Sequence, residues 1–179
     1  MPIMRGDKVT LRPFTENDPE LFYHWATQSD ATPFWYGKLY GDIVPSKEKF
    51  FSNWKSYYFD GSKPKLGRCF LILVKDIPIG QINYNKLDQN STELDIVIGD
   101  SKNWGKGYGS DAMKTLTNYL FDEGVREVWV FVLKRNPRAI KMYEKAGFVA
   151  KLHPRYIQIP TKGTTKKEDW IFMSTTQKE

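Results

Sequence analysis

Residues 93–109 have the sequence ELDIVIGDSKNWGKGYG. The apolar run at 94–98 is rich in β-branched residues and predicts a buried strand. Glycine then occupies positions 105, 107 and 109, and residues 110–121 have the composition of a helix. Glycine lets the backbone approach a ligand closely, and a helix start presents free N–H groups to an anion. The stretch therefore predicts a strand, a phosphate-binding loop and a helix, in that order.

The spacing of this loop differs from the two common nucleotide-binding motifs. A Walker loop requires Lys followed by Ser or Thr, whereas Lys106 is followed by Gly107. A dinucleotide-binding fingerprint that begins at Gly105 requires glycine at the position of Ser110. The loop therefore predicts a phosphate or pyrophosphate ligand that is bound in another way.

A second segment, residues 136–148, has the sequence NPRAIKMYEKAGF and follows a strand-like run at 127–133. Asn136 is a favourable N-cap, and Pro137 suits the first position of a helix. Gly147 can end that helix in a left-handed conformation. The segment therefore predicts a helix that begins directly after a strand.

Together the two segments resemble the GNAT N-acetyltransferase superfamily. Its acetyl-CoA loop is usually Arg or Gln, any two residues, Gly, any residue, then Gly or Ala, and Gly107-Tyr108-Gly109 supplies the end. Trp104 stands where Arg or Gln is common, which removes one side-chain donor. Residues 136–148 resemble the family's Asn-x-x-Ala-Ile-x-x-Tyr-Glu-x-x-Gly-Phe signature. The resemblance to the branch of aminoglycoside 6'-N-acetyltransferases and ribosomal-protein-alanine acetyltransferases extends from about residue 8 to residue 174.

The resemblance implies a single N-acetyltransferase domain, residues 1–179, of class α/β (α+β). A mixed central sheet of about seven strands, flanking helices and a V-shaped splay that holds acetyl-CoA are expected. The local patterns predict a strand at 8–13, a helix after Asp18, an aromatic-rich helix from Ser46 to Tyr58, a hairpin at 68–84 and a final strand pair at 148–159 and 169–175. Strands and helices alternate mid-chain between terminal hairpins, which indicates a mixed sheet.

Acetyl-CoA is the co-substrate that the resemblance implies. The loop backbone would bind the pyrophosphate, the central strand would bind the pantetheine arm and supply an oxyanion donor, and the second helix would contact the same arm. The cofactor-binding residues expected are Val97, Ile98, Trp104, Gly105, Lys106, Gly107, Tyr108, Gly109, Ser110, Asn136 and Ala139. No metal is expected, because neither histidine has metal-ligand spacing and the only cysteine, Cys69, excludes a Cys-based zinc site.

Three side chains are candidates for catalysis. Glu93 and Asp95 are two residues apart on a predicted strand and face the same side, where a carboxylate can attract an amine and take its proton. Asp95 is the preferred base, because it stands ten residues before Gly105, as in the aminoglycoside 6'-N-acetyltransferases; the alternative is a solvated strand-end carboxylate. Tyr143 matches the family tyrosine proposed to protonate the coenzyme A thiolate, although its spacing alone suits a core tyrosine equally well.

The acceptor is expected to be an aminoglycoside-like or other small amine, bound by Asp95 and an aromatic wall that includes Trp35 and Tyr36. The alternative for the aromatic residues of this region is that they pack helices onto the sheet. The alternative acceptor is a protein N-terminus or lysine, and a domain that binds acetyl-CoA without catalysis is a third interpretation. The family includes monomers and homodimers, and the sequence does not choose between them.

The composition and charge limit which other classes of function the chain can have. With 179 residues, of which 40% are hydrophobic, the chain can form one well-filled core. The absence of a long apolar run and of a signal-like N-terminus indicates a cytoplasmic protein with no membrane partner. The net charge of +6 suits the phosphates of coenzyme A and also suits nucleic acid. The nearest mixture of basic and aromatic residues, at 55–59, lies in a predicted helix, so no nucleic-acid partner is expected.

Overall fold

The computed structural model describes residues 3–35, 43–52, 55–85, 90–154, 157–159 and 165–177. The α-helices in these ranges are α1 (Pro19–Thr27), α2 (Thr32–Trp35), α3 (Lys47–Ser52), α4 (Tyr57–Asp60), α5 (Tyr108–Asp122) and α6 (Pro137–Lys145). The strands are β1 (Met4–Arg5), β2 (Thr10–Pro13), β3 (Gly67–Val74), β4 (Ile77–Asn85), β5 (Ser91–Ile98), β6 (Glu127–Leu133), β7 (Val149–Ala150) and β8 (Trp170–Thr176). Among these helices none is long and apolar enough to cross a bilayer.

The eight strands form one mixed sheet in the order β1-β2-β3-β4-β5-β6-β8-β7. All neighbours are antiparallel except β5 and β6, which run parallel and are joined through α5. The predicted hairpin at 68–84 is present as β3 and β4, which turn through Lys75 and Asp76 with positive φ angles. The mixed sheet with flanking helices is therefore confirmed, with two of its eight strands only two residues long.

The parallel pair separates soon after it begins. β5 and β6 pair only at three positions, from Ser91 with Glu127 to Glu93 with Trp129. Beyond these positions β5 continues along β4 as far as Ile98, whereas β6 continues along β8 as far as Leu133. The two strands therefore diverge toward their carboxyl ends, and this confirms the predicted V-shaped splay.

Each face of the sheet carries its own core, because successive strand residues point to opposite faces. One face packs against α5 and α6 through aliphatic side chains such as Ile82, Leu94 and Leu116. The other face packs against α1, α3 and α4 and is aromatic, with Phe14, Phe22 and Phe50 among its buried residues. Cys69 is fully buried on this aromatic face, as a buried inert thiol would be.

Two local predictions are wrong in extent. The predicted helix from Ser46 to Tyr58 consists instead of α3 and α4, because Phe50 is buried against Phe22 while the Tyr58 hydroxyl reaches across to Asn85 on β4. Among the described residues of the predicted strand at 148–159, only those of β7 form a strand, and Pro154 has no N–H with which to extend the ladder.

The N-terminal hairpin is attached to α5 by a buried carboxylate. Asp111, in the first turn of α5, accepts backbone N–H bonds from Asp7, Lys8 and Val9 at 3.2, 2.7 and 2.9 Å. The side chain is buried, and a carboxylate in the first turn also interacts favourably with the helix dipole. Asp111 therefore holds the turn between β1 and β2 against the start of α5.

We expect Asp111→Asn to lower the free energy of unfolding by about 2 kcal/mol, because the new amide NH2 faces backbone N–H donors instead of accepting from them. Urea unfolding of the purified protein measures this change. Asp122→Asn, at the exposed end of the same helix, is the matched control and should change stability by less than about 0.5 kcal/mol. Equal stability of the two variants would contradict the role of Asp111.

Candidate functional site

A cavity of about 810 Å³ lies where β5 and β6 diverge. Most residues predicted for the site line this cavity: Trp35, Asp95, Val97, Ile98, Trp104, Gly105, Gly107, Tyr108, Gly109, Ser110, Asn136, Ala139 and Tyr143. Glu93 and Lys106 do not line it, and Tyr36 lies outside the described residues. The divergence of two strands thus brings together segments that are as far apart in the chain as α2 and α6.

The glycine loop has the geometry of an anion site. Gly107 has φ of +85°, which places it in the left-handed region immediately before α5. A Cβ at Gly109 would lie 2.5 Å from the Met142 sulfur, so a larger residue there would displace the flexible Met142 side chain. The backbone N–H groups of residues 107–110 have no hydrogen-bond acceptor within the described part of the chain. Four adjacent donors at a helix start fit a phosphate group.

Unpaired strand edges extend the site inward from the loop. Because β5 and β6 stop pairing after Glu93 and Trp129, the facing peptide groups further along both strands have no partner strand. The cavity wall there is formed by residues such as Val97, Val132 and Leu133. A slot with apolar walls and free peptide groups suits an extended chain that carries amide groups of its own.

A hydrogen-bonded cluster joins the two candidate carboxylates on the aromatic face of the sheet. The Asn85 Nδ2 donates to Asp95 Oδ2 at 2.7 Å and to Glu93 Oε2 at 3.4 Å. The Asn85 Oδ1 accepts from the Tyr58 hydroxyl at 2.6 Å and from Asn83 Nδ2 at 2.9 Å. Because two donors occupy its oxygen, the amide of Asn85 directs its NH2 group at both carboxylates. Asp95 and Glu93 therefore form one coupled acidic pair.

The surroundings of this pair disfavour two negative charges. Burial is the largest cause that raises the pKa of Glu93 to about 8, and the neighbouring Asp95 carboxylate raises it further, while the bond from Asn85 lowers it. The pKa of Asp95 is also raised, chiefly by burial, against hydrogen bonds from Asn85 and Asn83 that lower it. Asp95 is nevertheless open to water through the cavity, so we expect it to ionise before Glu93. A single negative charge on the pair is therefore favoured over two.

Tyr143 and Asn136 lie on α6 at the opposite wall of the cavity. Tyr143 is 7% exposed and packs near the Phe148 ring, with a centroid separation of 6.0 Å. The Asn136 side chain accepts from the Ala139 N–H at 3.2 Å, which confirms the predicted N-cap. Each residue therefore has a structural contact and also reaches the cavity. Their predicted roles in acetyl transfer remain predictions.

Aromatic rings border the cavity near its mouth. Trp35 lines the cavity and meets the buried Phe22 ring edge to face at 5.2 Å, so it packs α2 and also walls the site. The Trp104 indole N–H donates to the Ile98 carbonyl at 2.8 Å. The Arg138 guanidinium lies over the Trp104 ring at 3.6 Å and over the Phe34 ring at 5.0 Å. Trp35 thus packs α2 and lines the cavity, and its predicted contact with an acceptor stays a prediction.

The sequence patterns did not identify Asn85 or Arg138 as site residues. Asn85 is opposite Glu93 in the β4–β5 register, and nothing local to either strand specifies that register. Arg138 lies within the second motif, but its stacking on Trp104 joins residues 34 positions apart. A polar side chain at alternate positions of β4, Asn83 and Asn85, was the only local signal for the cluster.

Two curated relatives are similar to this chain in sequence. An uncharacterized protein of Methanocaldococcus jannaschii is 26% identical over 150 residues, which cover 82% of this chain and 29% of the relative's own length. An aminoglycoside N(6')-acetyltransferase type 1 of Klebsiella pneumoniae is 24% identical over 156 residues, which cover 80% of this chain and 75% of that protein. The chain therefore spans less than a third of the archaeal relative.

A solved structure shares the fold. Spermidine N-acetyltransferase from Vibrio cholerae, in complex with CoA and spermine, superposes with a TM-score of 0.70 at 19% identity, covering 95% of this chain and 96% of that one. Residues 8–149 match the family model described as acetyltransferase (GNAT) domain. Since that match covers most of the sequence, the chain belongs to the GNAT acetyltransferase family, whose enzymes are acyltransferases that take the acetyl group from acetyl-CoA.

Proposed function

We propose that this protein acetylates a primary amine of a small polycation, an aminoglycoside-like compound or a polyamine, by direct attack of the amine on acetyl-CoA. The observation that carries the proposal is the acidic pair of Asp95 and Glu93, since Asp95 lines the same cavity as the glycine loop. A chain with a net charge of +6 thus places an acidic pair that favours one negative charge beside this cavity. Such a local reversal of charge suits a cationic acceptor.

The residues of the cavity fit acetyl-CoA, which supplies an activated acetyl group as a thioester. The free N–H groups of residues 107–110 would bind its pyrophosphate, and the unpaired edge of β5 would pair with its pantetheine arm. Asn136 would bond the same arm from α6 while it caps the helix. The acetyl group would then lie between Asp95 and Tyr143, on opposite walls of the cavity.

The acceptor would enter from the aromatic face of the sheet. Trp129 pairs with Glu93 in the parallel register, so its ring lies on the same face as the acidic pair, and Phe131 is two residues further along. The two rings are 5.6 Å apart, and Phe131 lines the cavity. Carboxylates and aromatic faces both attract an ammonium group, so this wall would hold the amines that are not being acetylated.

The proton of the reacting amine would pass to Asp95. A primary amine is mostly protonated at neutral pH, with a reference pKa near 10.4 for lysine, and the carboxylate can attract the cation and take its proton directly or through water. Glu93 keeps its own proton, so that the pair holds one charge. A backbone N–H at Val97 or Ile98 would bond the carbonyl oxygen as negative charge develops, and the Tyr143 hydroxyl would donate a proton to the leaving sulfur.

The relatives support a polycationic acceptor without choosing one. The enzyme of Klebsiella pneumoniae is named for an aminoglycoside, and the structure from Vibrio cholerae contains spermine, so both are associated with multiply charged amines.

We expect acetyl-CoA turnover with kanamycin, tobramycin or spermidine and near-background rates with short peptides that have free N-termini. Release of the coenzyme A thiol measures the rate. Because the attraction of the acidic pair is screened by ions, the KM for the amine should rise with salt concentration. Turnover on peptides alone would instead assign the protein N-terminus as the acceptor and overturn the proposal.

For the acceptor that turns over, Asp95→Asn should lower kcat/KM by about 100-fold or more, because the amide cannot take a proton. Tyr143→Phe should lower kcat by about 10-fold or more, because the leaving thiolate loses its donor. Asp122→Asn and Tyr119→Phe remove the same groups outside the cavity and are the matched controls. Full activity of Asp95→Asn would place the base elsewhere.

The raised pKa of Glu93 predicts a pH dependence of stability. The folded protein retains this proton up to about pH 8, whereas the unfolded chain loses it near 4.5, so the stabilisation is complete below about pH 4.5 and is lost as pH rises through about 8. The free energy of unfolding of the native protein, relative to Glu93→Gln, should therefore fall by on the order of 2 kcal/mol from pH 5 to pH 9. Urea unfolding at several pH values measures it.

Glu16→Gln removes an exposed carboxylate outside the cavity and is the matched control for this series. A stability difference between Glu93→Gln and the native protein that stays constant with pH would contradict the raised pKa. A difference that grows in favour of the native protein at high pH would mean that Glu93 is stabilised as a carboxylate instead.

A further inference from the structure

The first residue of the glycine loop cannot donate a hydrogen bond to an anion. Trp104 begins the loop, and the single donor of its side chain, the indole N–H, is used on the Ile98 carbonyl at 2.8 Å. The indole is therefore fixed against the end of β5 and turns a ring face outward. Trp104 therefore offers no side-chain donor to the phosphate groups.

The guanidinium N–H groups of Arg138 lie beside the glycine loop. Arg138 lies in the first turn of α6, lines the cavity, and holds its guanidinium carbon 3.6 Å from the centroid of the Trp104 ring. The same guanidinium carbon lies 5.0 Å from the centroid of the Phe34 ring. Across the described residues, no carboxylate, carbonyl or other acceptor bonds its five N–H groups. Partial burial lowers the pKa of Arg138 from its usual range.

We propose that Arg138, stacked on Trp104, donates hydrogen bonds to the pyrophosphate of coenzyme A and thereby supplies a side-chain donor where Trp104 offers none. This inference rests on the acetyl-CoA site of the proposed function. The loop N–H groups would bind the pyrophosphate from the helix α5 side, and the planar guanidinium would bind it from the α6 side. Stacking leaves the edge of the guanidinium free, which is where its N–H groups point.

The position of Arg138 assigns it to the pyrophosphate and not to the 3'-phosphate. Arg138, Lys141 and Lys145 all line the cavity and are spaced three and four residues apart, so they form one cationic stripe along α6. Only Arg138 in this stripe contacts a residue of the glycine loop. The two lysines lie further along the helix, where charges can meet phosphate groups outside the loop.

Binding of three probes tests the proposal without catalysis. Titration calorimetry would measure Kd for coenzyme A, for dephospho-coenzyme A, which lacks the 3'-phosphate, and for pantetheine, which lacks all phosphate. Arg138→Ala should raise Kd about 10- to 100-fold, and equally, for the first two probes, because one charged hydrogen-bonding group is lost from each. Kd for pantetheine should not change. Arg126→Ala, an exposed arginine outside the cavity, is the matched control.

If Arg138→Ala weakens binding of coenzyme A but not of dephospho-coenzyme A, Arg138 binds the 3'-phosphate and the proposal is overturned. An unchanged Kd for both probes would also overturn the proposal. An equal loss for pantetheine would indicate a distorted cavity and also overturn it. Arg138→Lys keeps the charge without the planar fork and should retain only part of the affinity. Thermal unfolding of each variant checks that the fold is kept.

A separate measurement tests whether the Trp104 ring holds the Arg138 guanidinium in place. In a Trp104→Ala background, Arg138→Ala should raise Kd for coenzyme A by less than it does in the native protein, because the guanidinium is no longer held in place. If Arg138→Ala raised Kd by the same factor in both backgrounds, Trp104 would not position Arg138, and this part of the proposal would be wrong. If no amine acceptor is turned over, the changes in Kd for coenzyme A can still be measured and still test the role of Arg138. If the native protein does not bind coenzyme A, the acetyl-CoA site of the proposed function is itself wrong.

Discussion

The separation of β5 from β6 after three paired residues is the constraint on which the rest of the site depends. A fully paired sheet would satisfy all its peptide groups and leave no space between the strands. Here each strand keeps a partner on its outer side, β4 for β5 and β8 for β6, so the gap costs few buried hydrogen bonds. The free inner edges then become the walls of a cavity that crosses the sheet.

Because the cavity crosses the sheet, it joins the two cores of the protein. On the aliphatic face it reaches α5 and α6, which carry the glycine loop, Tyr143 and Arg138. On the aromatic face it reaches Asp95, which Asn85 joins by hydrogen bonds to Glu93 and Tyr58. Cationic groups thus lie where phosphate would bind, and carboxylates lie where an amine would enter, so a single chain with a net positive charge presents opposite charges to two substrates.

The parts of the structure that were predictable are those specified within one segment. The strand, loop and helix at 93–122 and the capped helix α6 follow from residue spacing and cap chemistry, and both formed as expected. The helix predicted from Ser46 to Tyr58 did not form as one element, because its rings pack against two different partners. The length of the strand that became β7 was overestimated, and β1, with two residues, is too short to show an alternating hydrophobic pattern.

The sequence by itself determined the glycine loop before α5, the cap of α6 and the shared face of Glu93 and Asp95, because these depend on residues at most a few positions apart. Only the tertiary structure decided that Asn85 bonds both carboxylates, since this depends on the register of β4 against β5. It also decided that Arg138 stacks on Trp104, because packing of α6 beside the loop brings them together. Interactions between distant segments are set by how the whole sheet and its helices fit, and no local pattern specifies that fit.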